Sequence, residues 1–318
     1  MRQEKHRLRL AACALLGLLL HGPAVAKQRG GSPVQVFVLA GQSNMEGHGK
    51  VMLRPEKNNG KGTLEYLVKN KGSAALFAHT VDREGNWATR PDCWIWYLGR
   101  AGNLGIGYGA GKDMIGPEFQ FGHRVAGALG NQVLLVKTAW GGKSLVKDFR
   151  PPSSGGEVGP YYSQMVKHVH DVLVNLQEHF PKYNGRGYEL AGFGWHQGWN
   201  DGLKQEWVDQ YEENLVNLVK DLRKEWKVAG LPVVIANSGF GGFEQKTDRR
   251  LGIMAAQKAV PGRLEGVTTV ETRGFFRPVE MSPSGQRYHW NHNAETHVLI
   301  GDAMGKAMIS LLKKRQGK

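Results

Sequence analysis

Four short stretches of this 318-residue chain carry side chains suited to acyl-transfer chemistry. Ser43 stands in Gly41-Gln42-Ser43-Asn44-Met45, directly after the apolar, β-branched run Val34 to Ala40. That run has the pattern of a strand buried on both faces of a parallel sheet, so the hydroxyl falls at a strand's carboxyl end, where open α/β sheets bind ligands. Ser43 is therefore a candidate nucleophile, although Gly-Gln-Ser-Asn is also the composition of an ordinary turn or helix cap. A serine hydroxyl needs a base near neutral pH, and imidazole has the pKa for that task. His289, His292 and His297 fall within nine positions near the carboxyl terminus. Any of the three fits the role, and each could equally be a cap or a core residue.

Two further stretches follow other strand candidates. In Gln197-Gly198-Trp199-Asn200-Asp201, the Asn200 amide can donate to a developing oxyanion, with Asp201 open as a carboxylate or as a cap. In Trp140-Gly141-Gly142-Lys143, adjacent glycines let the backbone bring an N–H close to a reacting centre, and they also make a plain tight turn. No metal is expected. His289, His292 and His297 are not spaced to share one helical face and lack an accompanying carboxylate pattern. Of two cysteines, only Cys93 would remain once Cys13 leaves with the leader, so neither an internal disulfide nor a cysteine metal site is expected.

The elements that must position these groups read as alternating strands and helices. Strand candidates are Val34 to Ala40, Gln132 to Ala139, Leu190 to His196, Leu231 to Asn237 and Val267 to Glu271. Helix candidates are Pro117 to Leu129, Tyr161 to Phe180, Trp207 to Trp226 and Ala294 to Leu312. Such alternation predicts one parallel sheet covered on both faces, an α/β fold. Residues 50–113, rich in Gly, Asn and aromatics, are too long for a plain connection and read as an insertion with short strands of its own. Its Trp87, Trp94, Trp96, Tyr97 and Tyr108 either stack on sugar rings or pack the insertion onto its domain.

Residues 1–26 read as a secretory signal, with basic residues ahead of an apolar run too short to span a bilayer and Ala24-Val25-Ala26 before Lys27. This predicts a secreted or periplasmic protein without stable membrane insertion, formed by a single domain over residues 27–318. Loss of four basic residues and one acidic residue with the leader lowers the formal charge from +14 to about +11. The chain has no basic run with interleaved aromatics, so a nucleic-acid partner is not expected, and acidic glycans suit the charge better.

The Gly-Gln-Ser-Asn-Met, Gly-Gly, His196-Gln197-Gly198-Trp199-Asn200-Asp201 and terminal His-x-Asn segments, in that order, resemble the SGNH hydrolases. Within them the similarity is to the sialate O-acetylesterase and acetylxylan esterase branch, carbohydrate esterase family six. The resemblance implies a three-layer α/β/α, flavodoxin-like fold with about five parallel strands, and a serine esterase acting on acetylated carbohydrate without a cofactor. It implies Ser43 as nucleophile and His289 as base, with His292 in reserve. The oxyanion hole would be the Ser43 N–H, that of Gly141 or Gly142, and the Asn200 side chain. Two positions depart from the pattern: Trp199 stands where related esterases often carry Glu, and Gln286 where they often carry Asp. The carboxylate that would orient His289 is thus absent from both places. Gln42, Gln197, Asp201 and Gln286 remain as supporting residues, and a weak or inactive glycan-binding protein on the same fold is the alternative.

Overall fold

Val34–Gly41 forms the first strand, β1, and the period of two along it explains the layers above and below. Val34, Val36, Val38 and Ala40 belong to one apolar cluster, and Phe37 and Leu39 to the other. The structure is a computed structural model that describes residues 32–70 and 73–317. The expected leader at 1–26 lies outside the described residues.

After β1 come a four-residue helix α1 (Ser43–Glu46) and a two-residue strand β2 (Gly49–Lys50). Short helices α2 (Leu64–Lys69) and α3 (Ala74–Phe77) follow, then strands β3 (Arg90–Tyr97), β4 (Arg100–Leu104) and β5 (Met114–Ile115). The chain continues as α4 (Pro117–Leu129), β6 (Val133–Ala139), α5 (Pro160–Val174), α6 (Leu176–His179) and β7 (Tyr188–His196). It ends with α7 (Gln205–Glu225), β8 (Val233–Ala236), α8 (Asp248–Ala259), β9 (Val267–Val270) and α9 (Ala294–Gln316).

The main sheet has seven strands in the order β4-β3-β6-β1-β7-β8-β9. All neighbours run parallel except β3 and β4. The five strands expected from the sequence are β6, β1, β7, β8 and β9, and their spatial order is that of flavodoxin. On one face Val36, Val38 and Trp195 pack under α5 and α7 residues such as Val169 and Leu215; on the other Phe37 and Leu39 meet Phe121 of α4 and Met304 of α9. The α4–α9 contact is close. A Cβ on Gly301 would come within 2.2 Å of the Pro117 carbonyl, so glycine is what lets α9 reach its seat.

Two expectations need correction, and one open alternative is decided in favour of packing. Two strands of the segment 50–113, β3 and β4, extend the main sheet beyond five strands, because β3 pairs with β6 from Cys93 to Tyr97. That pairing buries Trp94, Trp96 and Tyr97 in the core, so these rings offer no face to a sugar. The helix expected over Tyr161 to Phe180 breaks at Asn175, whose backbone leaves the helical region. Helix α8 was not expected, since Arg250 and Gln257 interrupt the apolar face formed by Ile253 and Met254.

Candidate active site

β1 lies between β6 and β7, where the order of strands reverses, and its carboxyl end opens into the crevice between them. Gly41 makes the turn possible: at φ +153° a Cβ would sit 2.1 Å from the His196 carbonyl at the end of β7. Ser43 then opens α1, in the first turn, where backbone N–H groups have no helical acceptor. Ser43, Gly141, Gly142, Asn200 and His289 line one cleft of about 310 Å³, together with Glu46, His48, Trp199 and Tyr288. Distant stretches of the chain therefore converge where the sequence places the chemistry.

Their positions are fixed by named bonds. Asn44 Nδ2 donates to the Tyr288 carbonyl at 3.0 Å, tying the residue after Ser43 to the residue before His289. Gln42 Oε1 accepts from the N–H groups of Gly198 and Asn200, which leaves Gln42 Nε2 to donate to Asn200 Oδ1 at 3.2 Å. The Asn200 Nδ2 end is thereby turned outward, with one hydrogen bond of 2.7 Å to the Gly142 carbonyl. The Glu46 carboxylate lies against Gly141 and draws on its N–H, so an oxyanion there would share that donor with Glu46. Burial raises the Glu46 pKa despite a hydrogen bond from Tyr97 Oη. Beneath α1, the fully buried Lys137 donates to the carbonyls of Glu46 and Tyr108 and to Glu118 Oε2 at 2.8 Å. Breaking such a pair leaves an uncompensated buried charge, which typically costs about 3–5 kcal/mol.

The histidine loop is held under backbone strain. Trp290, Asn291 and His292 all adopt positive φ, at 53°, 54° and 58°. Such residues cost about 1–3 kcal/mol each unless the surroundings over-determine them. Here Trp290 is fully buried against Phe240, Phe276 and His196, and Asn291 Nδ2 donates to the Arg277 carbonyl. The His289 N–H donates to the Gln286 carbonyl at 2.8 Å. Nδ1 of His289 is buried without a hydrogen-bond partner, which leaves Nε2 as the nitrogen open to the cleft. Desolvation lowers the His289 pKa to about 4, so the ring is neutral at physiological pH.

Several sequence-predicted supporting residues serve elsewhere. Asp201 does not approach His289: it is fully buried and accepts from the N–H groups of Leu145 and Val146 and from Gln197 Nε2, so it pins the loop after Gly142. Burial raises its pKa to about 6. Gln197 braces this knot, donating also to the Lys143 carbonyl and accepting from Tyr211 Oη. Gln286 is exposed and its side chain leaves Nδ1 of His289 unpartnered, so it contributes its backbone carbonyl alone. His297 is buried away from the cleft, its Nε2 accepting the His48 N–H at 3.3 Å.

Sequence reasoning missed His48, whose ring stacks on His289 at 3.8 Å between centroids and 8° from parallel. His48, His289 and His292 each present a nitrogen within 4.8 Å of the others, a trio with His48 in the place the spacing had offered to His297. Glu46 was missed as well; its Ser-Asn-Met-Glu spacing is the one available signal, since it places serine and glutamate on one turn of helix.

Comparison with known proteins decides the family. Residues 33–310 match the model of the carbohydrate esterases described as sialic acid-specific acetylesterases. The chain belongs to this family. A protein of Arabidopsis thaliana named as a probable carbohydrate esterase is 24% identical over 283 residues, covering 87% of this chain and 91% of the relative. A solved structure from Arabidopsis thaliana aligns with a TM-score of 0.57 at 19% identity, covering 87% of this chain and 98% of that one. A carbohydrate acetylesterase from Xanthomonas citri aligns with a TM-score of 0.56 at 13% identity, covering 88% of this chain and 57% of that one. At such identities the structural likeness establishes the fold, a mostly parallel sheet between helical layers, as expected for a carbohydrate esterase of this type.

Proposed function

We propose that this carbohydrate esterase is a serine enzyme that removes O-acetyl groups from a glycan through Ser43 and His289. The observation that carries the reading is the shared cleft: the serine at the end of β1, the open nitrogen of His289 and the outward amide of Asn200 line one crevice at the sheet's switch point. Ser43 Oγ attacks the acetyl carbonyl as His289 Nε2 takes its proton. The tetrahedral oxyanion is stabilised by the Ser43 N–H, the Asn200 amide and the glycine pair, with Gly141 shared with Glu46. His289 returns the proton to the sugar oxygen as the C–O bond breaks, and water, deprotonated by the same ring, then frees acetate. Export by residues 1–26 would place this chemistry outside the cytoplasm.

The sugar meets aromatic faces at the cleft mouth. Trp199 lines it, backed by the Arg250 guanidinium at 3.7 Å and flanked by Phe240 and Tyr288. Trp199 and the exposed Tyr288 take the sugar-stacking role that stood open, beside packing, for the aromatics of residues 50–113, with the buried Phe240 supporting them from beneath.

Ser43→Ala tests the reading. Acetate release from acetylated glycan and from p-nitrophenyl acetate should vanish with folding intact, and unchanged turnover would refute it. The partnerless Nδ1 of His289 favours a second reading, a glycan-binding protein whose serine is idle. That protein would bind acetylated glycan and release no acetate.

A further inference from the structure

At the wall of the cleft that His48 and His289 line, three imidazoles come together, each with a ring nitrogen that no protein group satisfies. Nε2 of His48, Nδ1 of His289 and Nε2 of His292 are all buried without a hydrogen-bond partner. The three residues offer one ligand nitrogen each within 4.8 Å of one another. Buried polar atoms are rarely left unpaired; other histidines here also carry an unpaired ring nitrogen, and what sets these three apart is that their donor atoms lie close enough to share one occupant. We propose that His48, His289 and His292 form a binding site for a single divalent ion of the zinc, copper and nickel class.

The donor set selects that class. It contains neither carboxylate nor carbonyl oxygen, so magnesium and calcium find no suitable ligand, whereas three imidazoles suit the later first-row ions. Desolvation lowers the pKa of His48 to about 3 and of His292 to about 4, keeping the rings in the neutral form that metals bind. The positive neighbours, Lys50 and Lys137, work against a cation, although Lys137 is already paired with Glu118.

The rings must move to close on an ion. Nitrogens sharing one tetrahedral zinc at about 2.0–2.1 Å stand about 3.3 Å apart. The face-to-face stack of His48 on His289 keeps their lone pairs in separate planes. His48 has to swing out of the stack, and its Nε2 has no existing bond to give up. The stacked and chelated forms then differ in chemistry. An ion on Nδ1 of His289 leaves the ring proton on Nε2, removing the lone pair that would accept the Ser43 proton, so metal binding would switch the esterase off. Only this inhibitory consequence rests on the Ser43–His289 mechanism; the binding does not.

Calorimetric titration of the full chain and of Ser43→Ala with zinc chloride at neutral pH tests the site. Both proteins should bind one ion with equal affinity, so the result does not depend on esterase activity. His48→Ala and His292→Ala should each weaken binding by at least about tenfold, and the exposed His170→Ala should not. His48→Gln and His292→Gln should behave like the alanine variants, which guards against a folding defect in either. Cobalt chloride should give the intense visible absorption of a four-coordinate ion, lost in the same variants. No saturable binding by the full chain, or binding that survives substitution of both His48 and His292, would overturn the proposal.

Discussion

Gln42 Nε2 donates to Asn200 Oδ1, and that bond decides which end of the Asn200 amide faces the cleft. The orientation is over-determined, because Gln42 Oε1 is committed to the N–H groups of Gly198 and Asn200. Asn200→Ala should therefore lower kcat by about 10²–10³, the usual loss of one oxyanion donor, with little change in KM. Gln42→Ala removes the orientation and leaves the donor, so it should cost about tenfold, and the double variant little more than Asn200→Ala alone. Steady-state kinetics of the three variants checks this.

The partnerless Nδ1 of His289 predicts a gain from substitution. Gln286 stands three residues earlier on the same turn, with an exposed side chain. Gln286→Asp should raise kcat/KM by about tenfold or more, because a carboxylate there stabilises the imidazolium formed as Ser43 attacks. The same substitution should move the acid limb of the pH–rate profile upward from about 4, the value to which burial lowers His289. An unmoved limb would mean that the new carboxylate does not reach the ring.

Trp199 occupies a position where the resemblance led one to expect glutamate, and its indole lines the cleft mouth. Trp199→Ala should raise KM for an acetylated oligosaccharide by about tenfold and hardly alter the hydrolysis of p-nitrophenyl acetate, which has no sugar to stack. Equal effects on both substrates would place the indole's role in holding the site together.

The fold should be acid-sensitive. Burial lowers the pKa of His196, His289 and His292 to about 4 and of His48 and His123 to about 3. Unfolded histidines take up protons near about 6.5, so between that pH and about 4 the unfolded state binds more protons, and stability falls as pH falls. The fully buried His196 alone should cost about 2 kcal/mol between pH 6.5 and 5. Asp201, raised to about 6, acts in the opposite sense: its contribution is present at low pH and lost as pH rises through about 6. Glu46 and Glu118, also raised by burial, act in the same sense as Asp201; the five histidines outnumber these three carboxylates, so the urea midpoint should be lower at pH 5.0 than at pH 7.5. Equal midpoints would show that the histidines are not neutral in the fold.

What was legible in the sequence follows from what is local. The β-branched runs identify β1, β6, β7, β8 and β9, and the amphipathic spacing identifies α4, α7 and α9, because burial on one or both faces leaves a period in the chain. Ser43, Asn200 and His289 could be singled out as candidates because each stands at the end or turn of such an element, and the fold brings them to one cleft. The place of β3 beside β6 was not legible, since no spacing within one strand encodes its partner. Nor was the role of Asp201, because Leu145 and Val146, which it serves, lie across the fold. His48 escaped notice for the same reason: it sits five residues after Ser43, and only the folded chain lays it against His289.

Peptide mapping after treatment with a fluorophosphonate tests most directly whether Ser43 is an activated nucleophile. The adduct should be found on Ser43 in the full-length protein and should disappear in His289→Ala, whose circular dichroism should match the parent. A protein that takes no label, or a label on Ser43 that His289→Ala leaves unchanged, would contradict the account.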